Sequence, residues 1–221
     1  RLATRVLTGL DATFPAGGRP TFTGNPVRAA VTALAEETPG RPSQHPRLLV
    51  IGGSLGARTL NRVVPAALAT LPAAERPRVV HQAGERSLDI ARTAYREAAI
   101  EADIQPFIDD MAAAYREADL VVCRAGALTV SELAAVGRAA VFVPFPYAVD
   151  DHQTANARFL VNAGAARMIP EPELTTERLA AVLRELLADR DGREAMARNA
   201  RQLGRLRAAE QVADICLEVG S

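Results

Sequence analysis

The sequence predicts an α/β fold: a doubly wound sheet of parallel strands with helices on both faces. Three observations predict it. Short apolar runs alternate six times with longer stretches of helical periodicity, at roughly 20 to 25 residues per repeat. Glycine, proline or a small polar cluster separates each run from its helix. Crossovers of that length join parallel strands, whereas antiparallel neighbours need only a tight turn. The 221 residues suffice for one large domain or two small ones.

Taken in order, residues 1–44 form a head rich in Gly and Pro, closed by the cluster Thr38-Pro39-Gly40-Arg41-Pro42-Ser43. Such a run sustains neither a helix nor a central strand and reads as linker or exposed turn. Residues 47–51 are β-rich and end in Gly52-Gly53, after which residues 57–71 place apolar side chains at helical spacing. The same strand-then-helix order recurs over residues 78–81 and 86–99, 103–107 and 109–117, and 120–123 and 128–135. It continues over 141–145 and 151–161, then 165–169 and 176–188. The Ala- and Arg-rich stretch 193–219 adds one or two terminal helices.

Composition narrows the chemistry. Twenty-six basic residues balance twenty-six acidic ones, mean hydropathy is +0.01 and 48% of residues are hydrophobic, so nucleic acid is not expected as the main partner. Apart from the three His, every basic residue is Arg. Schiff-base catalysis, pyridoxal phosphate attachment and a P-loop lysine are thereby excluded. Two distant Cys and three scattered His supply no zinc cage, and neither a metal nor a cofactor is expected. The chain shows no membrane span or signal peptide and reads as soluble and cytoplasmic; beginning at Arg1, it reads as a fragment.

In an open parallel sheet ligands bind at the carboxyl ends of the strands, so function is sought in the loops there. The first, Gly52-Gly53-Ser54-Leu55-Gly56-Ala57, lets backbone approach a ligand and presents a helix N-terminus to phosphate; alone, such a turn serves packing as often. It is no dinucleotide fingerprint, since Ile51 stands where the first glycine belongs and His81-Gln82-Ala83 where an acidic residue is needed. The second runs from Cys123 to Glu132. There Gly126 permits an unusual backbone angle, Ala127 to Thr129 expose the N–H groups of a first helical turn, and the Glu132 carboxylate can hold vicinal hydroxyls. Plain helix capping by Thr129 or Ser131 with Glu132 competes with that reading. The third, Pro144 to Asn156, offers His152, Gln153 and Asn156 to sugar hydroxyls and an Asp150 or Asp151 cap, or is a solvated helix start. The fourth, Pro106-Phe107-Ile108-Asp109-Asp110-Met111, places an apolar pair for a flat base, or for the core, before an acidic cap. His81 stays unassigned and Cys123 reads as buried packing.

Together the runs Thr23-Gly24-Asn25-Pro26-Val27-Arg28, GGSLGARTLN (52–61), HQAG (81–84), PFIDDMAAAY (106–115), ADLVVCRAGALTVSELAAVG (118–137), VFVPFP (141–146) and HQTANA (152–157) resemble the carboxyl-terminal half of the MurG glycosyltransferases. These are the bacterial undecaprenyldiphospho-muramoylpentapeptide β-N-acetylglucosaminyltransferases of peptidoglycan synthesis. The resemblance covers nearly the whole chain. It implies a Rossmann-like donor domain of a GT-B enzyme over residues 47–221, preceded by a linker with first elements over 25–46 and the tail of an acceptor-side domain over 1–24.

The resemblance further implies that Arg28 and Ser54 contact the donor's phosphates and that Ile108 meets uracil. Ala127, Leu128, Thr129, Val130, Ser131 and Glu132 would wrap diphosphate and ribose, with Gly52, Gly53, Gly56 and Gly126 as the phosphate-loop glycines. Gln153 and Asn156 would face the N-acetylglucosamine. The expected reaction is inverting, metal-independent transfer of N-acetylglucosamine from UDP-N-acetylglucosamine to lipid I, giving lipid II. Lipid I and a peripheral contact with the cytoplasmic face of the inner membrane would belong to the other half. So would the general base: no residue of this chain is expected to be catalytic, and the fragment is expected to bind donor without turnover. Another UDP-sugar glycosyltransferase or an epimerase of this scaffold, or a non-catalytic binding module, are the competing expectations.

Overall fold

The computed structural model describes residues 4–10, 20–35, 45–53, 57–146 and 151–220. Six parallel strands form its centre: β3 (Arg47–Ile51), β4 (Arg78–Gln82), β5 (Asp103–Gln105), β6 (Leu120–Cys123), β7 (Ala140–Phe142) and β8 (Ala166–Met168). Their order across the sheet is β5-β4-β3-β6-β7-β8. The chain thus winds outward from β3 in one direction, then returns to lay β6 against β3 and winds outward in the other. This is the doubly wound order that the alternation of runs predicts.

Burial explains why these runs are strands. Leu48, Leu49 and Val50 of β3 and all four residues of β6 are buried on both faces, so they read as unbroken apolar runs rather than alternating ones. The edge strands differ, with Asp103 and Gln105 in β5 and Arg167 in β8 placing polar groups where the ladder ends.

Side chains of alternate parity then build two cores. Leu48, Val50, Leu120 and Val122 face the layer of α2 (Arg58–Ala69), α3 (Leu88–Glu97) and α7 (Thr176–Ala188). Leu49, Ile51, Val121 and Cys123 face α4 (Met111–Glu117), α5 (Ala127–Val136) and α6 (His152–Val161), with α1 (Ala29–Ala33) and α8 (Arg190–Leu203) packed outside α5. Each fully buried Leu on these faces contributes about 1.5 to 3 kcal/mol. The last helix, α9 (Ala208–Gly220), buries only Ala208 among its residues.

The head holds structure that its Gly and Pro content conceals. β1 (Leu7–Thr8) and β2 (Thr21–Phe22) form a separate parallel pair, tied by Thr21 N–H to Val6 O at 2.9 Å and Thr23 N–H to Thr8 O at 3.1 Å. The chain then crosses from β2 to α1 through Gly24, whose φ of +81° only glycine adopts readily.

Candidate functional site

β3 and β6 lie side by side, Ile51 opposite Cys123, and the chain leaves both at the same carboxyl edge. Each strand passes through a glycine elbow into a helix. From this point α2 departs to one face of the sheet and α5 to the other. The crevice between two such departures is where an open α/β sheet receives ligands, because two helix N-termini flank it.

In the first elbow Gly52 donates to Gln82 O at 3.0 Å, and a Cβ there would lie 2.9 Å from Ala57 N and 3.1 Å from Gln82 O, so only glycine fits. Gly53 has φ +79°. Ser54, Leu55 and Gly56 lie outside the described residues.

The second elbow departs from the sequence expectation at one position. Gly126 has φ −63° and ψ 142°, an ordinary extended conformation, so no unusual angle demands glycine there. An added Cβ would find only Thr129 Oγ1, at 3.8 Å. What the residue supplies is space beside the first turn of α5, where the N–H groups of Ala127, Leu128 and Thr129 have no intrahelical acceptors. Ala127 and Leu128 are exposed, Thr129 is partly exposed, and Val130 is buried in the core.

Side-chain amides from α6 hold this elbow from beneath. Gln153 Oε1 accepts from Ala125 N–H at 3.2 Å and Phe145 N–H at 3.0 Å, and Asn156 Nδ2 donates to Ala125 O at 3.0 Å. Asn156 is buried, so it braces the loop rather than projecting from it. Gln153 is only partly buried. Asp151 does not cap α6 by a backbone contact; it takes the Thr154 hydroxyl at 2.7 Å. Asp110 does cap α4, accepting from Ala113 N–H at 2.8 Å.

Glu132 lies one turn into α5 with its side chain 10% exposed, and neither oxygen caps the helix. Oε1 accepts from Arg28 Nε at 2.9 Å and from Nη2 at 2.8 Å, while Oε2 accepts from the Tyr115 hydroxyl at 3.0 Å. Tyr115 is 1% exposed, and burial together with the neighbouring Glu132 charge pushes its phenol well above the ordinary range, so it stays a donor. Beside this pair, Asn25 Nδ2 donates to Ser131 Oγ at 2.9 Å, and Ser131 Oγ donates in turn to Ala127 O. Arg28 and Asn25 therefore dock the segment before α1 along α5.

Tyr115 and Asn25 were not singled out from sequence as site residues. A signal for Tyr115 exists: Met111 and Tyr115 are spaced i, i+4 on the buried face of α4, and a buried tyrosine hydroxyl calls for an acceptor.

The fourth loop separates its apolar pair. Ile108 is buried in the core at 5% exposure, while Phe107 is 55% exposed. On the far side of the crevice Arg124 donates to Val143 O and Pro144 O and pairs with Glu171, which also accepts from Thr59. Its guanidinium lies 5.4 Å from the centre of the Phe145 ring. This network pins together the exits of β6, β7 and β8. Cys123 is fully buried, and desolvation raises its thiol far above the ordinary value, in keeping with a packing role. No group of three or more His, Cys, Asp or Glu is placed to hold a metal among the described residues, and no helix among them is long and apolar enough to cross a membrane.

The model of the glycosyltransferase family 28 C-terminal domain matches residues 47–214. A protein of Alkalilimnicola ehrlichii is 57% identical over 99% of this chain and 61% of its own length. One of Nitrosococcus oceani is 54% identical over 100% of this chain and 62% of its own. Both are named UDP-N-acetylglucosamine–N-acetylmuramyl-(pentapeptide) pyrophosphoryl-undecaprenol N-acetylglucosamine transferase. The crystal structure of Acinetobacter baumannii MurG superposes with a TM-score of 0.80 at 38% identity, over 98% of this chain and 60% of that one. A UDP-GlcNAc 2-epimerase of Neisseria meningitidis shares the fold alone, at 10% identity and a TM-score of 0.55. This chain spans about three fifths of the length of the curated relatives it matches. A parallel sheet wound outward from β3 and β6, and a family match over 47–214, lead to one assignment: the chain belongs to glycosyltransferase family 28 and carries its C-terminal domain.

Proposed function

We propose that this chain is the donor-binding half of an enzyme that transfers N-acetylglucosamine from UDP-N-acetylglucosamine to lipid I. The observation that carries the reading is the crevice between β3 and β6, flanked by two glycine elbows and edged by the buried Glu132 carboxylate. Each part answers to a part of a nucleoside diphosphate sugar. The first-turn N–H groups of Ala127, Leu128 and Thr129 donate to the diphosphate, aided by the positive end of the α5 dipole. The first elbow offers Gly52 and Gly53 to the same group, and Ser54 and Gly56, outside the described residues, complete the proposed contacts. Glu132 accepts from the ribose hydroxyls. The backbone at Ile108 reads the base edge, and Gln153 Nε2 donates to the sugar.

In this reading residues 47–221 form the donor domain, 25–46 link it and 1–24 belong to the acceptor side. The acceptor, the general base and any membrane contact lie in the remainder of the full-length protein. The contribution of this chain to the chemistry is electrostatic. As the bond to the anomeric carbon breaks, negative charge grows on the departing diphosphate, and donors already oriented toward it stabilise that charge without reorganising. Arg28 supplies a full positive charge nearby.

Calorimetric titration with UDP-N-acetylglucosamine tests the assignment. Glu132→Ala removes a carboxylate engaged by two hydroxyls and is expected to weaken binding by about 1.5 to 3 kcal/mol, the scale of charge-assisted hydrogen bonds. UDP-glucose and UDP-galactose, titrated in parallel, are expected to bind less tightly. An unchanged affinity in Glu132→Ala removes the carboxylate from the site, tighter binding of another UDP-sugar argues for a different donor, and no preference at all argues for a non-catalytic binding module.

A further inference from the structure

The hydrogen bonds around Glu132 leave too few acceptor sites for the role just proposed, and the shortfall identifies a moving part. An ionised carboxylate offers about four lone-pair positions. Three are occupied, two on Oε1 by the Arg28 guanidinium and one on Oε2 by the Tyr115 hydroxyl. A vicinal diol brings two O–H donors to the single position left. One present donor has to withdraw, and the two candidates differ in freedom. Tyr115 is 1% exposed and packed in the core formed with Leu133 and Val136. The Arg28 side chain is 54% exposed.

We propose that Arg28 is an exchangeable counter-ion, held by Glu132 in the structure and handed to the donor's diphosphate as the ribose takes its place on Oε1. The inference rests on the ribose reading of Glu132. The surroundings support a side-chain swing over a backbone shift. Asn25, three residues earlier, is bonded to Ser131 Oγ, and Val31 N–H and Thr32 N–H donate to Arg28 O at 2.9 and 3.0 Å, so the Arg28 main chain is fixed. Glu132 lies five residues along α5 from Ala127, about 7.5 Å at the helical rise. A guanidinium leaving the carboxylate therefore has the phosphate-facing turn within the reach of its own side chain. Tyr115 stays behind as the positioning residue that keeps Oε2 aimed.

The exchange has a signature that a merely structural Arg28 lacks: the effect of removing it reverses sign with the ligand. Uridine carries the diol without phosphate, so its binding opens the ion pair and recovers nothing. UDP recovers the charge on its diphosphate. For Arg28→Gln, uridine is expected to bind several-fold more tightly than to wild type, by NMR titration, and UDP at least tenfold more weakly, by calorimetry. Arg28→Lys, which keeps the charge but not the two-pronged contact, is expected to shift uridine in the same direction by less and to retain most UDP affinity. It also serves if Arg28→Gln unfolds. Uridine affinity that falls or stays constant in these variants, while Glu132→Gln weakens both ligands, overturns the exchange and leaves the ribose reading standing. If Glu132→Gln changes neither ligand's affinity, the ribose reading itself is overturned and the exchange falls with it.

Discussion

His81 shows how a single buried side chain sets a pH dependence. Its Nε2 lies 3.0 Å from Asn61 Oδ1 and its Nδ1 2.9 Å from the Tyr95 hydroxyl, while Asn61 Nδ2 donates to Ala83 O and Ser87 O. Because the Asn61 oxygen only accepts, Nε2 carries the proton and Nδ1 accepts from Tyr95. Burial depresses the imidazole pKa from 6.5 to about 3. Between those values the unfolded chain takes up a proton that the folded chain refuses, so stability is fully present above pH 6.5 and falls as the pH drops. The loss is about 1.4 kcal/mol per unit, or about 2 kcal/mol at pH 5. Urea unfolding at pH 7.5 and pH 5 should show His81→Gln less stable than wild type at the higher pH. The same variant should escape about 2 kcal/mol of the acid loss. An identical loss in both proteins would place the sensitivity elsewhere. The sequence left His81 without a role because its partners stand 14 and 20 residues away, and only the packing of α2 with α3 in the core that β4 shares brings them together.

At the scale of elements, helix ends follow the same economy of backbone groups at both ends of α5. The N-terminus has no side-chain cap; the C-terminus is closed by Gly137, with φ +63° and Gly137 N–H and Arg138 N–H both donating to Leu133 O. A Cβ there would stand 2.9 Å from Arg201 Nε and 3.0 Å from Ala197 O on α8. Gly137→Ala combines a left-handed backbone with crowding and should cost about 1 to 3 kcal/mol in denaturant unfolding. It lies at the end of α5 away from the crevice, so UDP affinity under folding conditions should not change. Affinity falling in step with stability would show that the helix transmits strain along its length.

The strand and helix repeats were legible because the central strands β3, β6 and β7 are buried almost throughout and helices such as α2, α3 and α7 on one face, which writes burial into the sequence as unbroken runs and helical period. β1, β2 and α1 escaped because two-residue strands and a five-residue helix carry no period to read. The parts of the proposed site were legible in the same uneven way. The elbows, and Glu132 in the helix that follows the second of them, stand just beyond the strand ends where an open parallel sheet receives ligands, whereas the Arg28 pair spans 104 residues and depends on how α1 packs on α5. Neither the angle of Gly126 nor the burial of Asn156 could be had from local sequence, since both are set by what lies across the loop.

Across the whole molecule, the proposed site straddles the seam between two halves of the sheet, β3-β4-β5 and β6-β7-β8. A nucleotide bound there touches elements from both halves, so it binds the folded chain and has little affinity for separated pieces. Binding of that kind raises the unfolding free energy by mass action, about 2.7 kcal/mol at a free UDP concentration one hundred times the dissociation constant. For a chain of this size that corresponds to a rise of roughly 5 to 10 °C in Tm. Glu132→Ala, weakened roughly 10- to 150-fold by the loss proposed above, should gain only about 0.3 to 1.4 kcal/mol at the same UDP concentration. Thermal unfolding of both proteins with and without UDP measures the difference, and a single transition moving as one is the expected form of the wild-type response. Equal stabilisation of the two proteins would mean that the nucleotide is held without Glu132. A transition that splits, with only part moving, would mean that it engages one half of the sheet rather than the seam.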